Sequence, residues 1–227
     1  MDLARRADLI RFDSVALADA AGHDLGAPIS SCPGYVMADL VRHVLQVHRS
    51  WGRIVAEGVM EPDWSDAPFP SDDELVDEFR ANAMWFADVL GATDPAKPCW
   101  TWGEQQNAGF VQRFQVQEAA LHRWDAEHAV GTAGPIAPDG AADSLAMVNE
   151  LLPAYAKDAR VAFDVTATDV PLQITMRSQP DLPVAGALRG PAGDLLLVVW
   201  ERIPVDAVEV TGDADAITSA IAAIDID

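Results

Sequence analysis

Arg113-Phe114-Gln115-Val116-Gln117-Glu118-Ala119-Ala120-Leu121-His122-Arg123-Trp124-Asp125-Ala126-Glu127 is the stretch on which the reading of this chain turns. It sits inside a predicted helix from about Phe110 to Val130, stopped by Gly131 and Gly134. Glu118 and His122 stand four residues apart, so their side chains leave one helix face and can reach one metal ion without distorting the backbone. A lone Glu-x-x-x-His is common by chance, and an exposed ion pair is the bland alternative. A metal site needs a third ligand from a neighbouring helix.

Working outward, that neighbour is a helix from about Val36 to Glu57, which carries two histidines. His48 shares a stripe with Met37, Val41, Val44, Trp51 and Val55, while His43 shares the adjacent stripe with Val36, Leu40, Val47 and Ile54. Both face apolar surroundings, where a histidine is more often a hydrogen-bonded core residue than a ligand; periodicity does not choose between them. An earlier helix carries Leu3, Ala7, Ile10 and Leu17 up to Gly22, and Ser71-Asp72-Asp73-Glu74 has the form of a capping box opening a third helix with Leu75, Phe79, Phe86 and Leu90. The connection from Thr93 to about Ala108, with Trp100, Trp102 and Gly103, is long enough to suggest a site-lining loop. Trp51, Trp85 and Trp124 read as core residues, and His23 and His128 as surface residues.

The character then changes. After a fifth helix, from Ala141 to Ala159, Val161 to Val165 and Leu172 to Met176 alternate with a period of two, as half-buried strands do. Gly190-Pro191-Ala192-Gly193 introduces an apolar helix from Asp194 to about Arg202; a short strand, Val208 to Val210, and a closing helix, Asp213 to Ile224, complete the chain. The expected class is α+β, with a helical bundle over residues 1–157 and a smaller α+β domain over residues 158–227.

Composition narrows the function. Fifteen basic against 36 acidic residues give a net charge of −21, which repels phosphate backbones and argues against nucleic-acid binding. No apolar run is long enough for a membrane helix, and the N-terminus lacks a signal-peptide core, so a cytoplasmic protein without a membrane partner is expected. Cys32 and Cys99 show no metal-ligand spacing and read as two unrelated reduced thiols. Thiol chemistry here would use a thiol supplied from outside.

Two segments resemble the signatures of the mycothiol-dependent maleylpyruvate isomerase family: Cys32-Pro33-Gly34-Tyr35-Val36-Met37-Ala38-Asp39-Leu40-Val41-Arg42-His43-Val44, and the stretch from Arg113 to Glu127. The resemblance implies a DinB-like four-helix bundle with His43, Glu118 and His122 as ligands of a divalent metal, usually zinc. The ligand set also suits iron, nickel or manganese. Gly190 to Arg202 and Val208 to Asp213 resemble the family's sterol-carrier-like C-terminal domain, in which the helix usually ends in Gly-Arg with the arginine directed at the active site. Here Glu201 replaces that glycine and Arg202 remains in register.

The activity that this resemblance implies is that of a thiol-dependent metalloenzyme. Mycothiol, bound as thiolate, would add to the cis double bond of maleylpyruvate, with Arg202 contacting substrate carboxylates and thiol. Arg113 would contact substrate or brace Glu118. Asp125, three residues beyond His122, would orient the imidazole or pair with Arg123 or Arg113. The partners expected are a small-molecule thiol and a small electrophile, in a monomer or homodimer. Two alternatives stand beside the isomerase: a mycothiol S-transferase acting on electrophilic xenobiotics, and a noncatalytic metal- or thiol-binding module.

Overall fold

The structure, a computed structural model, describes residues 1–62, 68–156 and 160–224. Its residues group into two compact units, Met1–Gly134 and Pro135–Asp227. Together they hold seven α-helices and one four-stranded sheet among the described residues, the α+β class expected.

The first unit contains α1 (Leu3–Ala21), α2 (Met37–Glu57), α3 (Asp72–Ala92) and α4 (Ala108–Ala129). Each boundary has a local cause. Asp2 caps α1 by accepting from the Arg5 N–H at 2.8 Å, and Asn107 caps α4 by accepting from Phe110 N–H at 3.1 Å. The first turn of α2 instead donates to backbone: Met37 N–H to Ala27 O at 2.8 Å and Ala38 N–H to Leu25 O at 2.9 Å. Gly58 ends α2 in the left-handed conformation, φ 67°. At α3 the expected capping box takes a different form, with the Ser71 hydroxyl donating to Glu74 Oε2 at 2.8 Å.

The core of this unit is built by Leu17, Met37, Leu40, Val41, Val44, Leu45, Leu75 and Phe79, all buried. α4 packs against α1 and α2 and is enclosed on most sides. It therefore buries polar side chains as well: Gln112, Gln115, Gln117, His122, Arg123 and Asp125. Burying so many polar groups is tolerable only where they are paired or hydrogen-bonded, and that requirement governs which partners His122, Arg123 and Asp125 take. Of the three tryptophans expected in the core, Trp51 and Trp124 are buried, but Trp85 is 41% exposed. Its ring lies across Gly52 of α2, where any β-carbon would fall 2.4 Å from it, so the indole packs on one face only.

In the second unit α5 (Pro138–Tyr155) packs on α6 (Ala192–Val199) and on β2 (Gln173–Arg177). The boundary expected at 157/158, and the end expected for the fifth helix at Ala159, lie outside the described residues; by its contacts α5 belongs with the C-terminal unit. The sheet has the order β2-β1-β3-β4, with β1 (Ala162–Ala167), β3 (Gly186–Gly190) and β4 (Glu209–Gly212). β1 pairs antiparallel with β2 and parallel with β3, and β3 pairs antiparallel with β4. β3 was not expected, because Gly186-Ala187-Leu188-Arg189-Gly190 has one large apolar side chain and no alternation. The two flanking strands define it: a β-carbon on Gly186 would lie 2.0 Å from Thr211 O. α7 (Ala214–Ile221) closes the chain's described part, capped by Asp213 accepting from Ala216 N–H at 3.0 Å.

Candidate metal centre

α2 and α4 run antiparallel. Ser31, just before α2, donates to Asp125 late in α4 at 2.6 Å, and Trp100, in the loop leading into α4, donates to Val59 O just after α2 at 2.7 Å. This pairing brings His43 opposite Glu118 and His122. His43 Nε2 lies 3.3 Å from Glu118 Oε1, and His122 Nε2 lies 3.2 Å from the same oxygen. The two imidazoles meet edge to face with centroids 5.1 Å apart. One ligand atom from each residue falls within 4.8 Å of the others. A tetrahedral metal with bonds of about 2.0–2.2 Å holds its ligands roughly 3.3–3.6 Å apart, so the donor set and its spacing fit a zinc-like ion.

Asp125 sits behind His122. Its Oδ2 lies 3.1 Å from His122 Nδ1, and its Oδ1 accepts from Ser31. A carboxylate only accepts, so Nδ1 carries the proton and Nε2 is the atom presented to Glu118. Burial alone would disfavour a charged His122, but Glu118 and then Asp125 outweigh it and push its pKa up to about 10. Glu118 is raised by burial, but His122 and His43 overcome that and hold it well below the usual carboxylate range. The cluster thus favours the carboxylate form of Glu118 and the protonated form of His122. The His43 side chain is 41% exposed while those of Glu118 and His122 are 16% and 11% exposed, so the cluster opens on the His43 side.

His48 is not part of this cluster. It is fully buried, with its ring stacked on Phe86 at 4.3 Å and Phe79 at 5.6 Å. Arg113 leaves α4 five residues before Glu118, about 140° around the helix from it. Arg123 is engaged elsewhere, by Asp13 at 2.7 Å and Glu127 at 2.6 Å. The structure therefore brings His43, Glu118, His122 and Asp125 together, and Arg113 stands on another sector of α4.

A family model described as the mycothiol maleylpyruvate isomerase N-terminal domain matches residues 9–127, more than half of the chain. The chain belongs to that family. Two solved structures share the fold of this family member: the mycothiol-dependent maleylpyruvate isomerase, at TM-score 0.64 and 14% identity, and a histidine-to-alanine variant of it, at TM-score 0.65 and 13% identity. Each alignment covers 93% of both chains. Among curated proteins, none matches the sequence.

His43, Glu118, His122 and Asp125 all fall within the segment matched to the isomerase family, whereas Arg202 lies beyond it. Arg202 stands in the C-terminal unit, past the end of α6 rather than within it, and its Nη1 donates to Trp200 O at 2.8 Å. The turn is a Schellman arrangement: Glu201 N–H bonds Val198 O at 3.0 Å and Arg202 N–H bonds Leu197 O at 2.8 Å. Its left-handed residue is Glu201, φ 56°, at the position where glycine is usual. Arg202 rims an open cleft of about 350 Å³ with Ile203, Pro204 and Ile221.

Sequence reasoning missed Ser31, which anchors Asp125 from 94 residues away and carries no local signal. It also missed how the 93–107 loop is held. Gln106 Nε2 donates to Thr101 O at 2.7 Å and Gly103 O at 2.6 Å, and Gln106 Oε1 accepts from Thr101 N–H at 3.0 Å. Trp100 stacks on Trp51, and Trp102 packs edge-on against Phe110 and Phe114.

Proposed function

We propose that this chain is a metal-dependent enzyme that binds mycothiol, or a closely similar small thiol, as its thiolate and turns it on an electrophilic carbon, with a maleylpyruvate-like substrate as the first candidate. The observation that carries this reading is the His43–Glu118–His122 cluster, three ligands open to solvent on one side. Three protein ligands leave a coordination position for a substrate atom, the mark of a catalytic rather than a structural site. A divalent ion held there, zinc before nickel, iron or manganese, would favour the deprotonated form of a bound thiol near neutral pH.

The chain's own residues have separable roles. Glu118 would supply the negative charge that attracts the cation, and His43 and His122 would supply neutral nitrogens. Asp125 would hold the His122 Nδ1–H, keeping Nε2 aimed at the site. A thiol held there would supply a nucleophile able to add reversibly to a cis double bond, which would permit rotation to the trans isomer with no net consumption of thiol. Arg202 is the candidate for a bidentate carboxylate contact, and Arg113 a second candidate cation.

One observation favours the transferase reading. Phe110, Phe114 and Glu118 succeed one another at four-residue intervals along α4, and Trp102 packs edge-on against the first two. That aromatic row runs toward the carboxylate ligand and suits an apolar electrophile better than a dicarboxylate.

The test begins with elemental analysis of the purified protein and its His43→Ala, Glu118→Ala and His122→Ala variants. The expected outcome is about one metal per chain in the parent and its loss in all three variants. The loaded parent is then assayed with mycothiol and either maleylpyruvate or a neutral aromatic electrophile. Isomerisation without thiol loss selects the first reading, and thiol consumption selects the second. A parent that takes up no metal, or that turns over neither substrate, leaves the noncatalytic binding module.

A further inference from the structure

The outer sides of α1 and α3 carry an exposed apolar strip. Asp8, Phe12, Val15, Ala16 and Asp19 recur at the spacing of a single face of α1, and Arg80, Met84 and Asp88 follow one another at four-residue intervals along α3. Phe12 is 64% exposed and Met84 40% exposed, and with Val15 and Ala16 they line an open cleft of about 390 Å³. Single exposed apolar side chains are ordinary, but several gathered in one cleft and rimmed by charges mark an interaction surface.

The contacts between the two helices give their register. Arg11 pairs with Asp88 at 2.5 Å and Arg80 pairs with Asp19 at 2.7 Å. Further along, a β-carbon on Gly91 would lie 2.9 Å from Ala7 Cβ. Going up α1 from Arg11 to Asp19 therefore corresponds to going down α3 from Asp88 to Arg80, and the helices are antiparallel. Phe12, Val15 and Met84 lie between the two ion pairs. Each end of the strip thus holds one base and one acid on opposite helices, and Asp8, 3.5 Å from Arg11, adds one more negative charge.

A second copy of the same chain matches this pattern. When it is turned by 180° about an axis parallel to the helices and lying in the contact plane, α1 faces α3 of the other copy, antiparallel and at the same level. Arg11 then meets a second Asp88, Asp19 meets a second Arg80, and the apolar strip meets itself. Such a contact uses one patch twice, as a closed homodimer does.

Charge singles out this occupant. With 15 basic against 36 acidic residues, two copies repel each other over most of their surface. On this face Arg11 and Arg80 stand against Asp8, Asp19 and Asp88, so the signs nearly balance and alternate in a self-complementary order. A basic partner would be drawn to the acidic surface at large and opposed by these two arginines. The extent is also suitable: two helices of 19 and 21 residues, about 30 Å long and about 20 Å wide side by side, offer a plan area of roughly 600 Å², of the order that a standard interface takes from each partner.

We infer that the α1–α3 face is a self-association surface on which two copies of this chain pair, α1 against α3, with Phe12, Val15 and Met84 at the centre and the Arg11, Asp19, Arg80 and Asp88 charges at the rim. The apolar centre supplies the affinity and the charges set the register, since exposed ion pairs contribute little each. The inference uses none of the metal-cluster residues and does not depend on the proposed catalysis.

Sedimentation velocity of the full chain over a wide concentration range tests it. The expected result is a concentration-dependent shift from monomer to dimer in the parent, and association at least about tenfold weaker in Phe12→Glu. Circular dichroism should show Phe12→Glu folded like the parent, because the side chain it replaces is exposed. A parent that stays monomeric overturns the inference and leaves the face to a different partner, and a Phe12→Glu variant that associates like the parent overturns it as well.

Charge reversal tests the pairing of α1 with α3. Arg11→Asp alone sets two acids against each other between copies, and Asp88→Arg alone sets two bases against each other, so each variant by itself should associate weakly. Mixed together, each copy meets the opposite sign at both ends while the contacts within each chain stay as they were. Native mass spectrometry of the mixture should therefore show a heterodimer. A mixture that associates no better than the separate variants overturns the α1-against-α3 arrangement.

Discussion

Ser31 and Asp125, 94 residues apart, are joined by a 2.6 Å hydrogen bond that ties the turn before α2 to the last third of α4. The other oxygen of the same carboxylate holds His122 Nδ1. One side chain thereby fixes both the tautomer of His122 and the pairing of α2 with α4.

Replacing Asp125 by alanine is expected to weaken metal affinity about 10–100-fold, the range for loss of an outer-shell partner of a ligand histidine. Ser31→Ala should weaken it less, because His122 keeps its acceptor. Competition titration with a chromophoric chelator measures both. Equal affinity in Asp125→Ala and parent would remove Asp125 from the site.

The buried Arg123 is held between Asp13 of α1 and Glu127 of its own helix. Removing the cation strands two acidic groups, so Arg123→Met should cost about 3–5 kcal/mol of stability in urea denaturation. A loss under about 1 kcal/mol would mean that solvent reaches the pair.

Asp13 also sets a pH dependence. Burial raises its pKa from the ordinary 3.8 to about 6, with Arg123 opposing. Between those values the folded protein binds a proton that the unfolded chain has lost, so this group's contribution to stability falls as pH rises through that window. The slope between pH 4 and 6 should flatten in Asp13→Asn. An unchanged slope would assign it to other groups.

Glu201 holds a left-handed backbone conformation that costs a non-glycine residue about 1–2 kcal/mol. After the greater chain entropy of glycine is subtracted, Glu201→Gly should stabilise the protein by roughly 0.5–1 kcal/mol. Chemical denaturation would show it as a raised midpoint at constant m-value. A lowered midpoint would show that the Glu201 side chain makes a contact worth more than the strain.

Gln106 gives the 93–107 loop several of its internal hydrogen bonds. Gln106→Ala should cost about 1 kcal/mol, because Thr101 O loses the Gln106 amide as donor while Gly103 O keeps the Thr101 hydroxyl. It should also make the loop a preferred site of limited proteolysis. Resistance equal to the parent would mean that the indole packing alone holds the loop.

Legibility in the sequence depends on how local each signal is. The spacing of Glu118 and His122, the glycine after α1, the long polar-and-tryptophan connection and the change from helical to alternating pattern are set by neighbours within a few residues, and helix and strand periodicities report them directly. The choice of His43 over His48 was not local. The two occupy adjacent stripes of one helix, and only the resemblance to a family pointed to the first. In the folded chain the choice is made by α3, whose Phe79 and Phe86 rings enclose His48, and by α4, which brings Glu118 to His43. The same holds for Ser31 at Asp125, for Asp13 at Arg123, and for β3, which exists because β1 and β4 flank it. The sequence by itself determined which residues could be ligands and which segments could be helices, because those depend on side-chain type and short-range spacing. Tertiary structure alone decided which candidates meet and which polar groups are enclosed, because burial and partnership are properties of surfaces that come together from distant parts of the chain.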